Sequence, residues 1–155
     1  MELSRDAIER LLDTWPVARL ATLRTDGAAA IVPVVFVRSA GRIWLPVDDK
    51  PKRAATAREL ARVENIRRDP RVALLLDQYE ADWSALWWLR AEGNAQVVGP
   101  GAPGFEAAAE ALRKKYPQYR RTALFRTGAA PTLLALQPKR ITSWAASSEL
   151  IEFLS

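Results

Sequence analysis

The chain contains no cysteine and no histidine. Without cysteine there is no disulfide, no thiolate nucleophile and no zinc-thiolate site. Without histidine the usual general base at neutral pH is missing, and so is the commonest metal ligand. Ser-His-Asp and Cys-His catalysis are excluded together. No apolar run is long enough to span a bilayer. The N-terminal stretch Met1-Glu2-Leu3-Ser4-Arg5-Asp6 is charged and lacks the apolar segment of a signal peptide, so a cytoplasmic location is expected. Redox or transfer chemistry in such a chain must be carried mostly by a bound cofactor.

The 155 residues are about half apolar, enough for one substantial core. No internal repeat, linker or low-complexity tract divides them, so residues 1–155 read as a single domain. The net charge of +5 admits nucleic acid, anionic lipid or a multiply charged small molecule as partner.

Hydrophobic spacing gives the order of elements. Ser4 caps a helix whose Ile8, Leu11, Leu12 and Trp15 share one face, and Pro16 stops it. Val17 to Leu23 reads as a strand. Asp26-Gly27 is a hairpin turn, Ala30 to Val37 the return strand, and Ala40-Gly41 turns into Arg42 to Val47. This predicts a three-strand meander in which Pro33 requires an edge position, a bulge or a gap in the ladder. Thr56-x-x-Glu59 has the form of a capping box and predicts a second helix ending at Asp69-Pro70. Arg71 to Tyr79 is a buried strand. Trp87 to Val98 alternates, with Trp87, Leu89, Ala91, Gly93, Ala95 and Val97 on one face. A glycine- and proline-rich loop precedes a helix bearing Phe105, Ala108, Ala109, Leu112 and Tyr116. Thr132 to Leu136 and Arg140 to Trp144 are the last strands, separated by Pro138. Hairpins outnumber crossovers, so the fold class is mainly β: an antiparallel barrel of six to seven strands with about three helices.

One segment suggests chemistry. Asp48-Asp49-Lys50-Pro51-Lys52-Arg53 packs three cations around a proline just before a helix start. Fixed positive charge, a stiff loop and the orphan N–H groups of a helix N-terminus suit a phosphate or carboxylate. A solvated loop whose charges offset Asp48, Asp49 and Glu59 is the plainer reading. A second basic cluster, Arg113-Lys114-Lys115 with Arg120-Arg121, is either a solvated helix end or a groove for an anionic tail. Trp83, Trp87 and Trp88 form the densest aromatic group. Trp87 and Trp88 are adjacent, so on a strand one faces the core and the other a cleft or interface, with Trp88 and Arg90 expected on the polar side. Tyr79 and Tyr116 are the obvious proton donors, but solvent can supply a proton, and no catalytic acid is assigned.

Several segments together resemble a known family. Arg19-Leu20-Ala21-Thr22, Asp26-Gly27 and Ile31-Val32-Pro33-Val34 resemble the opening of the pyridoxamine-phosphate-oxidase-like split β-barrel proteins. Asn65-Ile66-Arg67-Arg68-Asp69-Pro70-Arg71-Val72-Ala73-Leu74 is similar to their helix-to-strand junction. The loop from Asp48 to Arg53, taken with Asp82-Trp83-Ser84-Ala85-Leu86-Trp87-Trp88, is similar to a subgroup of probable F420-dependent enzymes. The resemblance runs from about Trp15 to Trp144. It implies a homodimer with cofactor clefts at the subunit interface. It implies the deazaflavin F420, or FMN, as cofactor and hydride transfer to a small conjugated organic acceptor. The implied cofactor-binding residues are Val32, Pro33 and Val34 beside the ring, Asp49, Lys50, Lys52 and Arg53 or Arg62 and Asn65 toward the phosphate, and Trp83 and Trp88 near the cleft. No metal is implied. Two other functions are compatible with the residues: a single-stranded nucleic-acid-binding barrel, disfavoured because the tryptophans cluster, and a carrier that binds cofactor without turnover.

Overall fold

A computed structural model describes residues 1–47, 53–125 and 127–155. Among these residues four α-helices and seven strands follow one another as α1 (Arg5–Thr14), β1 (Ala18–Leu23), β2 (Ala29–Val34), β3 (Val37–Ser39), β4 (Arg42–Pro46), α2 (Arg53–Arg68), β5 (Arg71–Gln78), β6 (Trp87–Val98), α3 (Phe105–Lys115), β7 (Leu133–Ala145) and α4 (Ser148–Leu154). The strands make one antiparallel sheet in the order β2-β1-β5-β6-β7-β4-β3. Its two edges, β2 and β3, are joined by Val35 and Phe36 alone. So short a link forces the sheet to curl until its edges meet, and because they are not paired the barrel stays split there.

That link corrects the expected meander. Ala30 to Val37 is not one strand. The chain leaves the β1 ladder after Val34 and joins β4 at Val37, while β4 itself pairs with β7. The cause is tertiary: Lys115, the last residue of α3, and Tyr116 just after it take both backbone groups of Phe36. The Tyr116 hydroxyl accepts from the Phe36 N–H at 3.1 Å, and the Phe36 carbonyl accepts from Tyr116 and from Lys115. No ladder bond is left for that residue. Pro33 lies on β2, an edge strand paired only with β1, where its missing N–H breaks no ladder.

Three other expectations shift. The second helix starts at Arg53, so Thr56 and Glu59 lie inside it; Ala54 and Ala55 are strong helix formers and extend it backwards. The last two strands are one, β7. Pro138 pairs with Gly93 and Arg140 with Glu92, so Lys139 is the extra residue of a bulge that admits proline without ending the strand. A fourth helix, α4, follows Ser147, whose side chain accepts from Leu150 N–H at 3.1 Å.

The core forms two bodies. The larger lies inside the curl: Leu20, Leu74, Leu76, Leu89 and Ala91 from the sheet meet Leu11 and Leu12 of α1 and Val63 and Ile66 of α2. Trp15 packs edge-on against Trp87, ring centroids 4.7 Å apart. Trp87 thus faces inward, as the alternation of β6 requires, and Trp88 faces outward. The smaller body is the apolar face of α3, Phe105, Ala108, Ala109 and Leu112, laid against Val37, Trp44, Leu133 and Ala135. α3 therefore sits over the split and carries its last turn to Val35 and Phe36. Among the described residues, no helix is long and apolar enough to cross a membrane.

Candidate functional site

The split opens into a cavity of about 400 Å³. Val17, Pro33, Val34, Val35 and Pro46 supply its apolar lining. Arg62 reaches it from α2, and Tyr116, Gln118, Tyr119 and Thr122 from the end of α3 and the turn beyond. Each element brings its residue for a stated reason. Pro33 and Val34 are there because β2 is an edge, and Val35 because it belongs to neither ladder. Pro46 is held by its pairing with Leu133 of β7. Pro117 ends α3 and starts a short 3-10 turn, which brings Tyr119 beside Tyr116, ring centroids 6.3 Å apart.

The wall at Tyr116 is fixed firmly. Its hydroxyl proton is shared between the carbonyls of Pro16 and Phe36, both at 2.9 Å. Burial pushes its pKa up to about 12, with the Phe36 backbone bond opposing. The neighbouring Lys115 turns away from solvent. Its Nζ donates to the Phe36 carbonyl at 3.0 Å and stands 3.8 Å from the Phe36 ring centroid. Burial brings this ammonium down to about 8, while Asp13 pulls the other way. Both groups serve the link between β2 and β3 and are not free to exchange protons with a ligand.

A cavity of this size lies in the range that holds a small organic molecule. Its apolar sides suit a flat conjugated ring. Its polar groups, a guanidinium, three hydroxyl-bearing side chains and an amide, suit a ring with a hydrogen-bonding or anionic edge.

Residues 4–145 match the family model for pyridoxamine 5′-phosphate oxidase. The chain belongs to the pyridoxamine 5′-phosphate oxidase family. The matched stretch contains the whole of the resemblance read from Trp15 to Trp144. Among curated proteins, none matches. Solved structures share the fold at low identity. A conserved hypothetical protein from Mycobacterium tuberculosis is 20% identical with a TM-score of 0.70, over 93% of this chain and 86% of that one. The heme storage protein HutZ from Vibrio cholerae is 16% identical with a TM-score of 0.68, over 94% and 95%. An FAD-binding protein from Mesorhizobium loti is 17% identical with a TM-score of 0.63, over 92% and 95%.

Within this family fold the residues singled out from the sequence are dispersed. Pro33, Val34 and Arg62 meet in the cavity. Val32 shares the inward face of β2 with Val34 but lies one pleat further from the cavity and packs against the larger core. Asn65 is buried: its Nδ2 donates to Thr22 Oγ1 at 3.2 Å, and its Oδ1 accepts from Arg68 at 3.1 Å. It ties α2 to β1. Trp88 lies on the outer face of the sheet, in a separate depression with Leu75, Asp77, Tyr79 and Arg90, the guanidinium carbon 5.7 Å from its ring. Trp83 is exposed on a 3-10 turn capped by Asp82. Arg53 is the first residue of α2. Asp49, Lys50 and Lys52 lie outside the described residues.

Sequence reasoning passed over Val17, Val35, Pro46, Gln118, Tyr119 and Thr122. The Tyr116-x-x-Tyr119 spacing was the available signal, because a proline between two tyrosines forces a turn that sets both rings on one wall.

Proposed function

We propose that this chain is an oxidoreductase of the family that binds the deazaflavin F420, with FMN as the second choice, and passes a hydride to a small conjugated organic acceptor. The observation that supports it best is the cavity at the split, where the Pro33-Val34-Val35 segment meets Arg62. When bound, the cofactor supplies the hydride; the chain binds it, orients it and keeps water from it. Val34 and Val35 would line the ring, and the backbone groups of Val35, outside both ladders, would be available to hydrogen-bond it. Arg62 balances negative charge on the cofactor. Lys50, Lys52 and Arg53, at the entry to α2, take the phosphate. Arg120 and Arg121 are exposed beside Tyr119 and suit the chain of glutamates that F420 carries and FMN lacks.

The names of two similar proteins, one FAD-binding and one for heme storage, speak for a scaffold that accepts flat, anionic, conjugated groups. With neither histidine nor cysteine to ligate a haem iron, this chain is better suited to the flavin class. The outer sheet face carries Ile31, Leu75 and Trp88, exposed or half-buried, and the proposal lays a second copy on this face, with Trp83 and Trp88 at the cleft the two copies share. A homodimer is therefore part of the proposal.

The test is a parallel titration with F420 and FMN, following tryptophan fluorescence and thermal stability. Ligand at about a hundred times its dissociation constant stabilises the fold by roughly 2.7 kcal/mol. Arg62→Ala should weaken both cofactors, and reversing Arg120 and Arg121 to Glu should weaken F420 alone. Binding without turnover of reduced cofactor across a panel of conjugated acceptors would make the protein a carrier. No response from folded protein to either cofactor would defeat the proposal, and salt-sensitive oligonucleotide binding would then replace it.

A further inference from the structure

A second cavity, of about 450 Å³, lies between α1 and the far edge of the sheet and shares no lining residue with the first. Its base is aliphatic: Ile8 and Leu12 of α1, Ile43 of β4, and Pro138 and Ile141 of β7. Ile141 is the informative member. It lies opposite Ala91 on the inward face of the sheet, where Ala91 and Leu89 are fully buried, yet it is 40% exposed. Ile141 follows the bulge at Pro138 and Lys139 by two residues, and the core is left open there beside α1.

The rim is cationic. Arg38 is clamped by Asp13 through two bonds of 2.8 and 2.6 Å and also stands 3.9 Å from Glu9. Arg5 pairs with the same Glu9 at 3.0 Å. The two carboxylates are thus consumed by two guanidinium groups. Arg42, which also lines the cavity, has no ion pair or side-chain hydrogen bond among the described residues. An aliphatic pocket with one uncommitted guanidinium at its edge complements a molecule that is apolar at one end and anionic at the other. A planar carboxylate fits the guanidinium fork in two parallel bonds.

We propose that this cavity is a binding site for an amphipathic monocarboxylate, with the carboxylate on Arg42 and the hydrocarbon on Ile8, Ile43 and Ile141. It goes beyond the cofactor reading and does not depend on it.

The probe is decanoate, below its micelle concentration, titrated calorimetrically into the full chain, with decan-1-ol as the uncharged control. Saturable binding of decanoate at one site per chain is expected, with decanol at least tenfold weaker. Arg42→Ala should weaken decanoate tenfold or more and leave decanol unchanged. Ile141→Trp, which fills the pocket, should abolish both; near-ultraviolet circular dichroism reports whether each variant is folded, and the Arg42 variant decides alone if the other is not. Decanoate should leave F420 and FMN affinities unchanged. The proposal is overturned if decanoate does not saturate, if decanol binds as tightly, if Arg42→Ala has no effect, or if decanoate competes with either cofactor.

Discussion

At the scale of single residues, Lys115 and Tyr116 give the sharpest expectation, because they titrate with opposite signs. Lys115 sits near 8 in the fold against an ordinary 10.5. Between those values the unfolded chain binds more protons, so stability rises with pH over that interval. Tyr116 sits near 12 against an ordinary 10.0. Over that interval the folded chain binds more protons, so its contribution is complete below pH 10 and is lost as pH climbs toward 12. Urea unfolding at steps from pH 7 to 11.5 should show stability climbing above pH 8 and turning over near pH 10. Lys115→Met should remove the climb, and a climb of unchanged size in that variant would assign it elsewhere. Tyr116→Phe should remove the turnover. It should also cost about 2 kcal/mol at pH 7, since it leaves the Phe36 N–H without its acceptor. For a chain of this length that is a fall in Tm of roughly 4–8 °C.

Among the elements, β6 and β7 form the spine of the sheet, and their bulge is its tightest point. A Cβ built on Gly93 would stand 2.0 Å from the Gln137 carbonyl oxygen. Gly93→Ala should therefore part the two strands and lower stability by roughly 3 kcal/mol. Thermal unfolding measures the loss, and amide exchange should show faster opening at Glu92 and Arg140. An unchanged Tm would mean that the backbones separate freely there. The same bulge shows what the sequence conveyed and what it did not. The alternation from Trp87 to Val98 was legible because one face is buried and the other is not. Pro138 read as a break because proline has no N–H, and a bulge that absorbs it is written in the partner strand, at Gly93, not beside the proline. The gap after Val34 was hidden for a related reason: Tyr116, eighty residues away, takes the hydrogen bonds of Phe36. Of the candidate site, Pro33, Val34 and Arg62 were named through the family resemblance; local pattern alone made the first two an edge strand. Tyr119, Gln118 and Thr122 could not, because only the packing of α3 across the split carries them there. Asn65 was named through the resemblance as one of two phosphate assignments; its bond to Thr22, a partner in a different element, could not be read from the helix alone.

For the whole molecule, the outer face of β1, β2, β5 and β6 gathers Ala21, Ile31, Ala73, Leu75 and Trp88, flanked by Arg19, Asp77 and Arg90. Arg19 and Asp77 are ion-paired across it. An apolar centre within a charged rim is the anatomy of a protein interface. Leu75→Glu together with Trp88→Glu should shift the protein from dimer to monomer in sedimentation analysis while its circular dichroism is preserved. A wild-type chain that sediments as a monomer would remove the homodimer from the proposed function, and with it the assignment of Trp83 and Trp88 to the cleft.

The pairing of β4 with β7 also sets an order of assembly. Strands β1 and β2 find each other as soon as they are made, and so do β3 and β4, but β4 must wait for its second partner, which begins at Leu133, and Pro46 is held in the cavity wall by that residue. α3, which braces the other wall, rests on Leu133 and Ala135 as well. On the ribosome, then, a growing chain can hold its first hairpin long before it has anywhere to put a cofactor. The walls of the cavity come together only once Leu133 and the residues around it are in place, so anything that binds there meets a sheet whose first hairpin formed long before.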